Sequence, residues 1–344
     1  MNRSPKRYKS RRIERKIITK RHMRSIRFRR KKALRKTHSI HPSRIIMPEK
    51  IGLEEGKGRT ETLNAVEQII AQTVLQRTKI VLDFSKTTYP DSMGMIYLLA
   101  LADLIRAKAP SISIKAVNVR SDRVRQVLQQ IGLAEKLGFH HTIPITRDDV
   151  RLWRCISGAS VDASDVGADF ESLCNETQMS EESRNVLFNA MTEAIDNAYS
   201  HAYDQDIMRG HNAIFPDDRR WWMFFGVVDQ RMVIVICDLG LGIPSTVQRK
   251  GWWENVRQSI SNDDGSIIQA TIEHARSRTH ERHRGKGMAK LRQAAEENGG
   301  GLMVCSDRGR YVFKSGQQDY HKSHRDAIQG TVIGWMIPLQ TRPT

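Results

Sequence analysis

Residues 189–202 read NAMTEAIDNAYSHA, and this stretch decides how the C-terminal half of the chain folds. Apolar residues recur at helical spacing through this stretch and just before it, and they would face a core: Leu187, Met191, Ile195, Ala198 and Ala202. The pattern predicts a helix over residues 182–203, with Ser180 as its polar start and acidic residues in the first turn, where the helix dipole favours negative charge. Four polar residues spaced by four would stack into one stripe beside the apolar face, namely Asn189, Glu193, Asn197 and His201.

Within that stripe, Glu193 and Asn197 have the chemistry expected of a reaction centre. A carboxylate can accept the proton of an attacking nucleophile, and an amide oxygen can bind Mg²⁺, a hard ion that prefers oxygen ligands. The competing interpretation is an ordinary solvent-exposed helix face. The stripe indicates a site only if other segments converge on it.

A second segment places an acid at the end of a strand. Residues 221–228 and 232–237 predict a hairpin that turns at residues 229–230, and the second strand delivers Asp238 just before Gly240 and Gly242. Asp238 can accept a hydrogen bond from an exocyclic amine such as that of adenine, and the glycines would let the backbone approach a ligand closely. A plain surface turn is the alternative, although a strand that is apolar on both faces disfavours it.

A third segment resembles a phosphate loop that opens a helix. Residues 284–288 read RGKGM and precede a helical pattern, so backbone N–H groups at the helix start would form an anion site. The candidate contacts are Arg284, Gly285, Lys286 and Gly287. The Walker pattern and the dinucleotide fingerprint are both absent from the sequence. In combination, the three segments predict a pocket for ATP with Mg²⁺.

The order and spacing of these segments resemble the GHKL (Bergerat-fold) ATPase superfamily over about residues 178–340, most closely the anti-sigma-factor serine kinases. The resemblance implies a two-layer α/β sandwich in which Glu193 is the general base, Asn197 the Mg²⁺ ligand and Asp238 the adenine-binding acid. It further implies a first glycine box at Gly240 and Gly242 and a second at Gly285 and Gly287. A last box, Gly330-Thr331, would precede a final strand over residues 332–337. Residues 245–283 would be a lid, with Arg276, Arg278 and Arg282 as phosphate contacts or solvated charges.

The N-terminal half predicts a small α/β layer domain. Strands alternate with helices: helices over residues 62–76, 95–107 and 121–131, and strands over residues 79–84 and 111–119. The segment 81–99, with its turn at residues 89–94, and the helix ending at Gly132 resemble the STAS domain of anti-sigma-factor antagonists. That family has a phosphorylated hydroxyl where this chain has Met93, so we expect a docking role without phosphorylation and interpret the adjacent Ser92 as a helix N-cap.

The basic charge of the chain belongs to its N-terminal tail. The net charge is +18, and residues 1–50 contain 20 Lys or Arg against two acidic residues, so the remainder is neutral. Such a density of like charge opposes independent folding. We interpret residues 1–40 as a nucleic-acid-binding arm with salt-sensitive affinity; an acidic membrane surface, an organelle-targeting peptide and a non-specific solvated arm are the alternatives.

These expectations divide the chain into a basic tail (1–46), a STAS-like α/β domain (47–146), a linker with one strand (147–177) and the ATPase domain (178–344). The four cysteines show no paired metal spacing and favour a reduced, cytoplasmic compartment, and no run of about 20 apolar residues predicts a membrane span. The expected function is an ATP-driven regulatory switch that binds a protein partner through residues 47–146, with a homodimer as one option. A protein serine/threonine kinase and a non-catalytic ATP-binding scaffold remain the alternatives.

Overall fold

The computed structural model describes residues 42–139, 142–161, 164–203, 219–248, 253–258, 260–261, 263–277 and 287–339. Over these residues the protein is a mixed α/β structure. The helices are α1 Lys57–Ile70, α2 Ser92–Lys108, α3 Asp122–Gln130, α4 Leu133–Lys136, α5 Asp148–Arg151, α6 Ser164–Glu176, α7 Glu181–His201, α8 Ile243–Val247, α9 Trp253–Val256, α10 Asp264–Ser277 and α11 Gly287–Glu297. A π-helical turn, Ala71–Leu75, extends α1.

The strands form one large and two small sheets. Their bounds are β1 Ser43–Ile46, β2 Lys50–Ile51, β3 Ile80–Asp83, β4 Tyr89–Pro90, β5 Ile114–Val117, β6 Arg154–Gly158, β7 Trp221–Val228, β8 Arg231–Asp238, β9 Gly301–Ser306, β10 Gly309–Lys314, β11 Tyr320–Ser323 and β12 Thr331–Pro338. The large sheet has the order β11-β10-β9-β12-β8-β7-β6, and its neighbouring strands are antiparallel. The small sheets, β1-β3-β5 and β2-β4, are parallel.

The predicted elements with the clearest periodicity are confirmed, with ends displaced by a few residues. They are the helices predicted over 62–76, 95–107, 121–131 and 182–203, the hairpin over 221–237 and the final strand over 332–337. The hairpin turns at Asp229 and Gln230, whose φ angles of 48° and 58° suit the right-handed twist of the flanking strands. Residues 43–46, which the sequence analysis assigns to the basic tail, form β1, and the linker segment contains α5, β6 and α6.

Both faces of the large sheet are covered, and β7 shows this directly. Trp221, Met223 and Phe225 point into a core shared with α6, α7, α10 and α11. Trp222 and Phe224 point to the opposite face and join the core of residues 42–139, which we call the N-terminal unit. Because successive strand residues face opposite sides, the continuous apolar run of β7 requires a cover on each face.

Helix α2 of the N-terminal unit supplies much of the second cover, since it contacts β7, β8 and β12. The Met93 Sδ atom lies 3.1 Å from the position that a Cβ on Gly334 would occupy. Farther along α2, the Asp103 carboxylate accepts hydrogen bonds from Trp222 Nε1 at 2.9 Å and from Lys136 Nζ at 2.6 Å. The N-terminal unit and the large sheet therefore share a continuous hydrophobic core.

The start of α2 corrects one expectation. Ser92 is not the N-cap; the cap is Asp91, whose carboxylate accepts hydrogen bonds from the amides of Met93 and Gly94. Asp91 precedes Ser92, the first residue of the helix, and its backbone is extended (φ −77°, ψ 142°). This conformation lets the side chain of a cap residue reach the first amides of the helix. Ser92 and Met93 are both buried, so the turn that resembles a phosphorylation site faces the chain's own interior.

Candidate functional site

Helix α7 positions the polar stripe predicted from the sequence. It begins at a genuine cap, where the Ser180 hydroxyl accepts a hydrogen bond from the Ser183 amide, and two glutamates occupy its first turn. The apolar side of α7 is buried in the core beneath the sheet. Glu193 and Asn197 are partly buried, whereas Asn189 and His201 are exposed. Of these four residues, Asn197 and His201 line the cavity described next.

A cavity of about 160 Å³ lies where α7, α8, α10, the start of α11 and the end of β8 meet β12. Five of the site residues predicted from the sequence line it: Asn197, Asp238, Gly242, Gly287 and Thr331. The rest of the wall is mainly apolar, with Ile236, Ile243, Val247, Met288 and Ile333 among its residues. Residues from five separate segments of the chain therefore converge on one concave surface, which is the usual form of a small-molecule site.

Asp238 is the acidic group of this cavity. Burial raises the pKa of its carboxyl to about 7, although hydrogen bonds from the Gly240 amide and from the Thr331 amide and hydroxyl act in the opposite direction. The Gly240 amide donates to Oδ1 at 2.8 Å. Because its pKa lies near neutrality, the Asp238 carboxyl gains or loses its proton readily near pH 7.

Ser306, which the sequence analysis missed, ties the cavity wall together. Its hydroxyl accepts a hydrogen bond from the Ile243 amide at 2.8 Å, donates to the Gly330 carbonyl at 3.1 Å and lies 2.9 Å from the Thr331 hydroxyl. The residue ends β9 and belongs to no recognisable motif, so only the pairing of β9 with β12 reveals it. It holds the start of α8 against the last strand.

The two glycines of the first box have different roles. Gly242 lines the cavity and has φ 84°, a conformation that favours glycine. Gly240 does not line it: a Cβ there would lie 2.3 Å from the Ala202 carbonyl oxygen. The absence of a side chain at Gly240 lets the loop after β8 close against the end of α7. The predicted ligand contact at Gly240 stays a prediction.

Glu193 lies beside the cavity and is paired with a cation that the sequence did not predict. Lys290 in the first turn of α11 donates its Nζ hydrogen to Glu193 Oε1. Gly287 lies between the Lys290–Glu193 pair and the cavity, and a Cβ on Gly287 would meet Glu193 Oε2 at 2.6 Å. Only a residue without a side chain leaves the Glu193 carboxylate in this position.

Asn197 lies on the other side of the same glycine. Its Nδ2 atom is 3.3 Å from the Gly287 Cβ position, is buried, and has no hydrogen-bond partner among the described residues. A buried amide group without a partner is costly, so it indicates a missing ligand or the opposite orientation of the amide. If the Asn197 amide is rotated by 180°, its oxygen takes the place of Nδ2 and faces Gly287.

Other predicted contacts lie outside the described residues. They are Arg284, Gly285 and Lys286 of the second box and, in the proposed lid, Arg278 and Arg282. Helix α10, within the lid segment, contributes Thr271, His274 and Ala275 to the cavity wall. Its start is fixed to β11, because the Asp263 carboxylate accepts hydrogen bonds from the Ser266 and Ser323 hydroxyls at 2.6 and 2.8 Å.

In the described ranges, no group of three or more His, Cys, Asp or Glu side chains is arranged to hold a metal ion. The four cysteines are free thiols, and three of them are buried. None of the helices in the described segments combines the length and apolar character needed to cross a bilayer. Comparison with protein-family models, curated proteins and solved structures finds no match to this chain.

Proposed function

We propose that this protein binds Mg-ATP as a GHKL-type ATPase and acts as a nucleotide-driven regulatory switch, with the N-terminal unit as its STAS-like part. The observation that carries the proposal is the convergence of Asn197, Asp238, Gly242, Gly287 and Thr331 on one cavity. The sequence pattern alone predicts each of these residues as a nucleotide contact. Their common location supports a shared ligand.

Asp238 and Thr331 form the base-recognition end of the proposed site. The ionised Asp238 carboxylate would accept a hydrogen bond from the exocyclic amine of adenine, and the apolar wall of Ile236 and Ile333 would pack against the ring. A hydrogen bond of this kind in a buried site discriminates strongly, because a base without the amine leaves the carboxylate unpaired.

The start of α11 forms the phosphate end. Gly287 begins this helix, whose first amides and dipole attract anions, and Asn197 lies across from it. The atom of Asn197 that lacks a partner among the described residues is Nδ2, so the amide would bind Mg²⁺ in the orientation rotated by 180°, which presents its oxygen. Mg²⁺ is typically held by one or two protein oxygens, with the remaining positions taken by phosphates and water. Bound Mg²⁺ would neutralise charge on the phosphates during transfer.

Glu193 is the proposed general base. It lies one helical turn before Asn197 on the same face of α7 and is partly buried beside Gly287. From there its carboxylate would take the proton of the attacking water while the amides at the α11 start stabilise the transferring phosphoryl group.

The cavity is small for a whole nucleotide. At about 160 Å³ it holds only part of a nucleotide, whereas small-molecule pockets commonly reach about 300–1,000 Å³. Helices α8 and α10 form the outer wall, so we propose that they move outward to admit ATP and close again over it. A closure that depends on the terminal phosphate would give the switch its two states.

The STAS-like turn is buried at Ser92 and Met93, and this favours ATP hydrolysis over transfer of the phosphoryl group to the chain itself. Ser92 is 9% exposed and is followed by Met93, which has no hydroxyl, so neither is an accessible phosphoryl acceptor. A kinase of this type would need a hydroxyl on a partner. The proposed docking surface for a partner is accordingly not α2, which the large sheet covers, but the remaining surface of the N-terminal unit.

The proposed activity is tested with γ-labelled ATP and the full-length protein, alone and with candidate partner proteins. We expect free labelled phosphate without labelled protein. Glu193→Ala should abolish turnover and retain ATP binding, whereas Asn189→Ala, an exposed position one turn earlier on the same stripe, should leave turnover unchanged. Label on a partner serine would indicate the kinase; ATP binding without turnover would indicate the scaffold. Turnover that survives Glu193→Ala would refute the assignment of the base.

We also propose that residues 1–40 bind nucleic acid through phosphate contacts. Deleting them should remove salt-dependent binding to RNA or DNA and leave ATP turnover intact. Binding that persists in the truncated protein, or that does not weaken with salt, would contradict this role.

A further inference from the structure

Lys290 and Glu193 form an ion pair at the mouth of the proposed phosphate site. The two residues are 97 positions apart in the chain, and the tertiary fold brings the Lys290 ammonium onto Glu193 Oε1. The side chains are 44% and 27% exposed, so neither charge is locked in the interior. A partly exposed pair of this kind contributes little to stability and can exchange partners at low cost.

The surroundings of this pair indicate which partner would compete. Lys290 lies one turn into α11 after Gly287, and Gly287 abuts both Glu193 and Asn197. A terminal phosphate at the α11 start would therefore lie close to both members of the pair. It carries more negative charge than one carboxylate, offers more acceptor oxygens to an ammonium group, and would repel Glu193.

We propose that Lys290 is a positioning residue that exchanges Glu193 for the terminal phosphate of bound ATP. This inference rests on the proposed ATP site. Without nucleotide, or with ADP, Lys290 stays on Glu193 and holds its carboxylate in an ion pair. With ATP, the ammonium transfers to the terminal phosphate and leaves Glu193 free to accept the proton of the nucleophile. The same exchange reports to the protein whether the third phosphate is present.

The proposed exchange of Lys290 between Glu193 and the phosphate can be tested by nucleotide binding alone, without measuring turnover. Dissociation constants for ADP and for a non-hydrolysable ATP analogue are measured by calorimetry on the full-length wild type, Lys290→Met, Glu193→Gln and the double variant. Lys290→Met should weaken binding of the analogue about tenfold, as expected for one charge-assisted hydrogen bond, and ADP binding by less than about twofold. Glu193→Gln should tighten binding of the analogue about two- to fivefold, because Lys290 no longer has to leave a carboxylate.

The double variant isolates the exchange from simple charge repulsion. If Glu193 and the phosphate compete for Lys290, the tightening caused by Glu193→Gln disappears when Lys290 is methionine. Lys290→Arg, which keeps a cation, should retain preference for the analogue over ADP. Two controls are matched: Gln293→Met places the same residue on an exposed position of α11, and Lys314→Met removes one positive charge from β10.

Two results would overturn the inference. One is an equal loss of affinity for ADP and the analogue in Lys290→Met; the other is equal tightening by Glu193→Gln with and without Lys290. Failure of the proposed ATP site has a separate signature, since the wild type would then bind neither nucleotide. Far-UV circular dichroism of each variant establishes that a loss of binding is not a loss of fold.

Discussion

Replacing Asp103 by alanine should destabilise the protein by about 1–4 kcal/mol, and the effect should reach both the N-terminal unit and the large sheet. The Asp103 carboxylate, on α2, accepts hydrogen bonds from Trp222 Nε1 on β7 and from Lys136 Nζ. Trp222 is 1% exposed, so without Asp103 its indole N–H is buried without an acceptor, which costs about 1–3 kcal/mol. Loss of the partly exposed Lys136 pair adds up to about 1 kcal/mol.

The assay is urea unfolding followed by tryptophan fluorescence and far-UV circular dichroism. With a slope of roughly 3 kcal/mol/M, the midpoint should fall by about 0.3–1.3 M, and the two signals should shift together. Asp196→Ala is the matched control, since Asp196 is exposed on α7 and should change the free energy of unfolding by less than about 0.5 kcal/mol. A shift of that small size for Asp103→Ala, or separate transitions for the two signals, would refute a single shared core.

Two further predictions concern the site. Gly287→Ala should reduce ATP turnover about tenfold to a hundredfold with little change in melting temperature, because the added Cβ displaces only the flexible end of Glu193. Gly240→Ala should instead lower the melting temperature, because its Cβ meets the Ala202 backbone. A larger loss of melting temperature in Gly287→Ala than in Gly240→Ala would contradict these roles. Asp238→Asn should become more stable relative to wild type as the pH rises from 5 to 8, by at most about 3 kcal/mol. Burial raises the Asp238 pKa from 3.8 to about 7, so the folded state binds the extra proton in this window and wild-type stability falls as the pH rises; a pH-independent difference in unfolding free energy would refute this assignment.

Much of the secondary structure and the centre of the site could be predicted because their signals are local. The four-residue spacing of Glu193 and Asn197 places them on one face of α7 by helical geometry alone. The apolar run before Asp238 similarly specifies a strand that ends in an acid. These features depend on residues close together in the chain, where backbone periodicity determines which side chains are neighbours.

Other assignments failed or were incomplete because they depend on contacts across the chain. Ser92 was predicted as the cap of α2, but the cap depends on the backbone conformation of Asp91, which the residue types do not reveal. Gly240 carries the same sequence signal as Gly242, yet one packs on Ala202 and the other lines the cavity. Ser306 and Lys290 belong to no motif and reach the site only through strand pairing and the packing of α11 on α7.

The sequence by itself determined that β7 and β8 are buried on both faces, that α7 carries a carboxylate and an amide one turn apart, and that a glycine begins α11. The tertiary structure decided which surfaces cover those strands, placing α2 on one face of the large sheet, and it paired Lys290 with Glu193. The physical reason is that hydrophobic burial is non-directional: an apolar stretch specifies that it must be covered, while shape and long-range packing select the cover.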